Sequence, residues 1–322
     1  DKGGPSINVN QNLYEILALL NSNVAKYYFW VFNPSINLQV KDVKNFPIIF
    51  PEDNKELYQS SLNNTQLCQE DWDSFENSWG FKRHPLVGNF ETLEAAFISW
   101  KNVCDKRFLQ LKEEEIRINQ TFIDLYNLNG EVESDVEERD VTVRLADCRR
   151  DIKSLLSYIV GCMFGRYSLD LDGLVYAGGA WDESKYTTFI PDTDNVIPIT
   201  DQKYMDDDIV ERLCEFLRAV YGENSLESNL DFIATALDGK GSTSREVIRN
   251  YFLSDFFKDH CKTYQKRPIY WLFDSGKQNG FKALVYMHRW NKNTIGRVLM
   301  YLRKIQEKYE IEARAIDMLI GH

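Results

Sequence analysis

The chain has 322 residues, a hydrophobic fraction of 43% and a formal net charge of −11. That length suggests about two domains at the usual ~100–200 residues each, with ordinary material for a packed core. The longest apolar runs, around Ile48-Ile49-Phe50 and Leu155–Met163, fall well short of the ~20 residues that cross a bilayer, and no signal-peptide pattern opens the chain.

The chain starts on Asp1-Lys2-Gly3-Gly4, and its methionines all lie at or beyond Met163, so we expect a segment of a longer protein. Residues 12–32 repeat apolar side chains at three- and four-residue steps (Leu13, Ile16, Leu17, Leu20, Val24, Tyr27, Tyr28, Val31), which predicts one helix. Asn33-Pro34 ends it, because the residue before proline is pushed out of the helical region. Ile36, Leu38 and Val40 alternate with polar residues as a short strand would, and Pro51-Glu52-Asp53-Asn54 reads as a linker.

The strongest periodicity runs from Leu93 to Leu125 through Phe97, Trp100, Cys104, Phe108, Leu111, Ile118 and Phe122, and only Glu115 interrupts the alternating step. A helix of this length extends about 50 Å. Its stripe must be covered, either inside this chain or by a partner. The acidic stretch 131–140 reads as an exposed loop. A second helix is expected at 144–164, bounded by Gly165, and residues 171–199 read as irregular. Further helices are expected near 206–221 and 294–309. Between them, residues 268–273 and 281–287 read as two strands joined by a turn that carries Gly276 and Gly280. The expected organisation is four segments: 1–50, a linker and aromatic-rich connection at 51–92, a helical domain at 93–205, and a C-terminal helical domain at 206–322 with a β-hairpin at 267–287. The fold class is α+β, predominantly helical.

Several chemistries lack their residues. The six cysteines are separated by 14 to 52 residues, with no CxxC pair, which argues for free thiols in a reducing cytoplasm rather than a zinc site or a disulfide scaffold. His84, His260, His288 and His322 have no metal-binding spacing. Asp206-Asp207-Asp208 reads as the first turn of a helix rather than a metal site. The adjacency of His260 and Cys261 says little about a nucleophile–base pair. Gly3-Gly4 and Gly178-Gly179 match no nucleotide-binding fingerprint. Asn33-Pro34-Ser35-Ile36 departs from an Asn-Pro-Pro-aromatic amine-methylating tetrad at its last two positions.

Charge is uneven. Between Lys258 and Lys308 twelve cations face three acids, Asp259, Asp274 and Glu307, in a chain that is acidic overall. An acidic protein with one basic zone can hold a polyanion there. Around the hairpin, Lys266, Arg267, Lys277, Lys282 and Arg289 interleave with Tyr270, Trp271, Phe273, Phe281, Tyr286 and Trp290. Cations hold phosphates and aromatic faces stack on bases. We expect DNA contacts from Lys266, Arg267, Lys277, Lys282 and Arg289, and from Lys41 and Lys44 near the N-terminus.

The run from Lys266 to Lys277, continued by Asn279–Arg289, resembles the C-terminal region of the PglX methyltransferases of bacterial BREX phage-defence systems. So do Tyr158–Ser168 and Asp255–Cys261. Leu20-Asn21-Ser22, Tyr27-Tyr28-Phe29 and Gln39 through Ile48 resemble the end of a target-recognition region, as found in type I specificity subunits. The resemblance implies a parent enzyme that methylates adenine N6 in a specific DNA sequence with S-adenosylmethionine. It also implies that the donor loop and tetrad lie upstream of Asp1, so that this chain carries no catalytic, cofactor or metal residue of its own. Implied partners are double-stranded DNA and other BREX defence proteins, in the cytoplasm, with no membrane. Two functions follow as expectations: DNA recognition and positioning, or docking of other defence-system subunits through the 93–125 stripe and the acidic loop.

Overall fold

A computed structural model describes residues 7, 9, 11–35, 39–277 and 279–320. Mostly helical with one small antiparallel sheet, it is α+β as expected. The chain divides into two compact units that interleave along the sequence. One comprises the residues up to Trp72 together with Lys101–Ala146, and the other Asp73–Trp100 with Asp147 onward.

In the first unit the expected single helix at 12–32 is two, α1 (Leu13–Asn21) and α2 (Asn23–Phe32). Ser22 breaks them. Its backbone is extended, and its hydroxyl oxygen accepts from Ala25 N as an N-cap. The expected strand also needs correction. Residues 36–38 lie outside the described residues, and Val40 opens a short helix, α3 (Val40–Lys44). There Asp42 Oδ2 accepts from Gln39 N at 2.9 Å in a capping box. The segment expected as linker contains α4 (Lys55–Asp73). Its first half buries only Leu57 and Ser61, too few apolar positions to show a period.

The long helix α5 (Leu93–Leu125) has the boundaries that its periodicity predicts. It starts in the second unit and ends in the first. Its stripe is core: Leu93, Trp100, Cys104, Phe108, Leu111, Ile118 and Phe122 are all buried. In the first unit α5 serves two apolar clusters. Ile118 and Phe122 pack with Ala18, Leu19, Val24, Phe46 and Leu57, while Phe108 and Leu111 pack with Val136, Val141 and Val143. Asn119 fastens this arrangement, accepting from Asn23 N at 2.8 Å and donating to Ser134 O at 3.1 Å.

The second unit is built around α6 (Cys148–Met163), whose N-cap Asp147 accepts from Arg150 N. The helix starts later than expected, leaving Leu145 outside it and exposed. From Leu155 to Met163 every residue is buried. The expected irregular segment holds one strand, β1 (Ile197–Ile199). The next helices are α7 (Ile209–Tyr221), α8 (Leu226–Leu237), α9 (Ser244–Ser254) and α10 (Phe256–Thr263), the last three beyond what was expected. Helices this short are stabilised by tertiary packing rather than propensity. The hairpin forms as β2 (Tyr270–Asp274) and β3 (Lys282–Tyr286), paired from Tyr270↔Tyr286 to Asp274↔Lys282. Strand order is β1-β3-β2, so the fully buried β3 is central. Pro198 explains why β1 was hard to read: a proline is tolerated because β1 is an edge strand. Helix α11 (Thr294–Ile320) buries Val298, Tyr301 and Ile305 against this sheet and continues eleven residues past the expected end.

Candidate nucleic-acid interface

The basic turn after α10 is held in an uncommon backbone conformation. Gln265 and Lys266 are consecutive non-glycine residues with positive φ, 50° and 64°. Lys266 N donates to Cys261 O at 2.7 Å and Arg267 N to Tyr264 O at 2.8 Å. Below the turn, His260 is buried and its Nε2 accepts from Ile269 N at 3.1 Å, tying α10 to the strand that follows. The result projects Lys266 and Arg267 into solvent. At the far end of β2, the turn with Gly276 (φ 106°) and Asn279 (φ 53°) exposes Lys277. Five strand residues at ~3.3 Å each separate the two groups by roughly 17 Å. Among the described residues none forms an ion pair with these three cations. Trp271, 53% exposed, lies between them on the edge strand.

Lys282 and Arg289 are engaged differently. Lys282 is buried, its Nζ donating to Leu253 O at 2.8 Å and pairing with Asp274 at 3.1 Å. Arg289 donates to Asp192 O at 2.8 Å and to Phe164 O at 3.3 Å, and its guanidinium lies 4.1 Å from the Trp181 ring centroid. Both cations are committed within the fold. Lys41 and Lys44 are exposed on α3 of the other unit.

A residue the sequence reading passed over is Trp79, which is completely exposed. The turn that carries it is closed by local hydrogen bonds. Ser78 Oγ donates to Asp73 and accepts from Gly80 N at 3.1 Å. A side chain at Gly80 would meet the Asp73 carboxylate at 2.5 Å. Beneath it, Glu76 is buried and accepts from Ser157 Oγ and, at 3.2 Å, from Tyr264 OH. Tyr264 is two residues before Lys266, so the Trp79 turn and the basic turn share an anchor. The only sequence signal was a tryptophan before glycine in a polar run, Ser74 to Gly80.

Burial governs the ionisation of this anchor. It pushes the Glu76 carboxyl up, against the hydrogen bond from Ser157 and the charge of Arg166. It pulls His260 down to about 4, with Arg166 adding to the effect. The Arg166 guanidinium sits over the rings of Tyr167 and Tyr264 and donates to the hydroxyls of Tyr167 and Tyr286.

The remaining candidates resolve as structure. Asp208 is the N-cap of α7, accepting from Val210 N and Glu211 N, and Asp207 accepts from Tyr301 OH. No group of three or more metal-ligating side chains occurs among the described residues. Gly178 and Gly179 have positive φ, and nothing lies within 4 Å of where a Cβ would stand at either. Asn33 accepts from Ser35 and donates to Asp42, a local turn. Gly3-Gly4 lies outside the described residues. No described helix is long and apolar enough to cross a membrane.

No family model matches the chain. It is 45% identical over 315 residues to the adenine-specific methyltransferase PglX of Lacticaseibacillus casei (strain Zhang), covering 94% of this chain and 26% of that protein. It is 35% identical over 330 residues to the adenine-specific methyltransferase BrxX of Escherichia coli O9:H4 (strain HS), covering 92% and 27%. The chain therefore spans about a quarter of the length of the curated relatives it matches, and it is homologous to one section of these methyltransferases.

Proposed function

We propose that this chain, similar over nearly its whole length to a section of adenine-specific methyltransferases, is the C-terminal DNA-recognition and positioning region of such an enzyme in a phage-defence system. The parent protein uses S-adenosylmethionine to methylate adenine N6 in double-stranded DNA. No methyl-transfer step is assigned to the residues of this chain. The observation that carries the reading is the pair of turns that share the Glu76–Tyr264 anchor, one presenting Lys266 and Arg267 and the other Trp79. Lys266, Arg267 and Lys277 neutralise phosphates, and Lys282 and Arg289 hold the hairpin that places these exposed cations; Lys41 and Lys44, on α3, are further phosphate contacts. Trp79 supplies an aromatic face for a base or sugar. The alternative, docking of sibling defence proteins, keeps the acidic 131–140 loop but loses the 93–125 stripe, which the fold buries.

The test is duplex-DNA affinity of the 322-residue chain across a salt series. Log affinity should fall with log salt, with a slope of about −0.9 per phosphate contacted. Replacing Lys266, Arg267 and Lys277 together by alanine should flatten that slope. An unchanged slope, or no binding by the unaltered chain, rejects the reading.

A further inference from the structure

The one break in the α5 stripe, Glu115, faces a cavity. In the first unit a space of about 500 Å³ is enclosed by α1, α2, α4, α5 and the loop from Asp135 to Thr142, within the ~300–1,000 Å³ range of small-molecule sites. It lies where the two apolar clusters of this unit fail to meet: Ile118 belongs to one, Leu111 to the other, and both line it. Position 115 falls between them in the three–four step, where an apolar side chain would fill the gap.

The polar lining is biased. Several of its amide and hydroxyl donors are spent inside the fold. Asn21 Nδ2 is on Leu17 O, Asn23 Nδ2 on Glu133 O and Asp135 O, Asn119 Nδ2 on Ser134 O, and Thr65 Oγ1 on Ser61 O. Lys26 is paired with Asp140 at 3.5 Å. One acceptor is left over: among the described residues none hydrogen-bonds Glu115, which lines the cavity. Burial raises the Glu115 carboxyl, and the charge of Lys26 offsets this only in part.

We infer that this cavity is a binding site for a small organic cation, an ammonium group on an apolar stem, with Glu115 as counter-ion. Leu111, Ile118 and Val136 receive the stem. An ammonium brings several donors and no acceptor, which complements a carboxylate that no side chain of the lining hydrogen-bonds. This site is independent of the DNA interface.

Cys68 lines the same cavity and reports on it. The experiment follows N-ethylmaleimide labelling of Cys68 in the 322-residue chain, mapped by peptide mass spectrometry, with Cys148 and Cys261 as controls. Probes are benzylamine, neutral benzyl alcohol and anionic benzoate. Benzylamine should slow Cys68 labelling at concentrations where the other two do not. Glu115→Gln, an isosteric change, should weaken that protection at least tenfold, and Lys26→Ala, which removes the competing cation, should strengthen it. Absence of protection by benzylamine, equal protection by all three probes, or full protection in E115Q overturns the inference.

Discussion

Tyr264 donates its hydroxyl to Oε2 of the buried Glu76 at 3.2 Å, joining two turns separated by nearly two hundred residues of sequence. Each turn carries what the other lacks. The 265–267 turn has cations, and the 74–80 turn has the fully exposed Trp79. A buried hydrogen-bonded carboxyl is costly to break, so the anchor fixes where both turns present their side chains.

Trp79→Ala should weaken duplex binding by roughly 5- to 150-fold, the ~1–3 kcal/mol of one base–aromatic stack, while Trp79→Phe should retain most of it. Because Trp79 packs on nothing, neither variant should move the thermal midpoint. Anisotropy titrations beside melting curves check this. Equal affinity for W79A and the unaltered chain would remove Trp79 from the interface.

Lys282→Met separates holding the hairpin from touching DNA. Removing a buried ammonium that serves Leu253 O and Asp274 should cost about 1–3 kcal/mol of stability, visible as a lower urea midpoint. Under conditions where the variant remains folded, the salt slope of DNA binding should not change. Lys266→Ala should show the reverse pattern, with stability kept and the slope reduced.

His260 gives a pH prediction. Its folded pKa is depressed to about 4, whereas in the unfolded chain it lies near ~6.5. Between those values the unfolded state binds a proton that the folded state refuses. His260 therefore makes stability rise with pH across this window, by about 1.4 kcal/mol per pH unit. Asp192 acts oppositely. Its burial beside Asp194 raises it to about 7, so it makes stability fall as pH rises from the ordinary carboxylate range to 7. The two partly cancel in the total, and the variant difference is the informative measurement. His260→Gln should remove about one proton's worth of slope between pH 4 and 6.5 in urea unfolding series, and an unaltered slope would count against a neutral buried His260.

Asp208→Asn should be strongly destabilising. Asp208 is fully buried, caps α7 through Oδ1, and places Oδ2 2.8 Å from Nη1 of the buried Arg249, an ion pair without hydrogen-bond alignment. The amide preserves cap geometry but leaves the guanidinium without its counter-charge, at a cost of about 3–5 kcal/mol. Chemical denaturation checks it. Arg249→Met combined with Asp208→Asn should recover part of the loss.

Gly165→Ala tests the tight packing at the C-terminal end of α6. Gly165 has φ 76°, and a Cβ there would sit 2.4 Å from the Trp181 ring. Left-handed backbone alone costs an alanine about 1–2 kcal/mol. Displacing Trp181 also disturbs the Arg289 stack, so the measured loss should exceed that figure.

The sequence by itself determined the elements whose apolar period is long and unbroken. These are α5 to the residue, the body of α6, α7 and α11, and the hairpin with its turn glycines. Such patterns are local, and a buried stripe must repeat along the chain. It also marked Glu115 as an interruption without saying why. Only the tertiary structure decided what the charged and aromatic residues do. Lys282 and Lys277 look alike in a sequence, yet one reaches the Leu253 carbonyl and the other reaches water, because β3 is central and the turn is not. Trp79 carried no periodic signal, since a turn displaying one side chain has none. Its link to Lys266 and Arg267 runs through Glu76 and Tyr264, a contact between distant residues that no local pattern encodes.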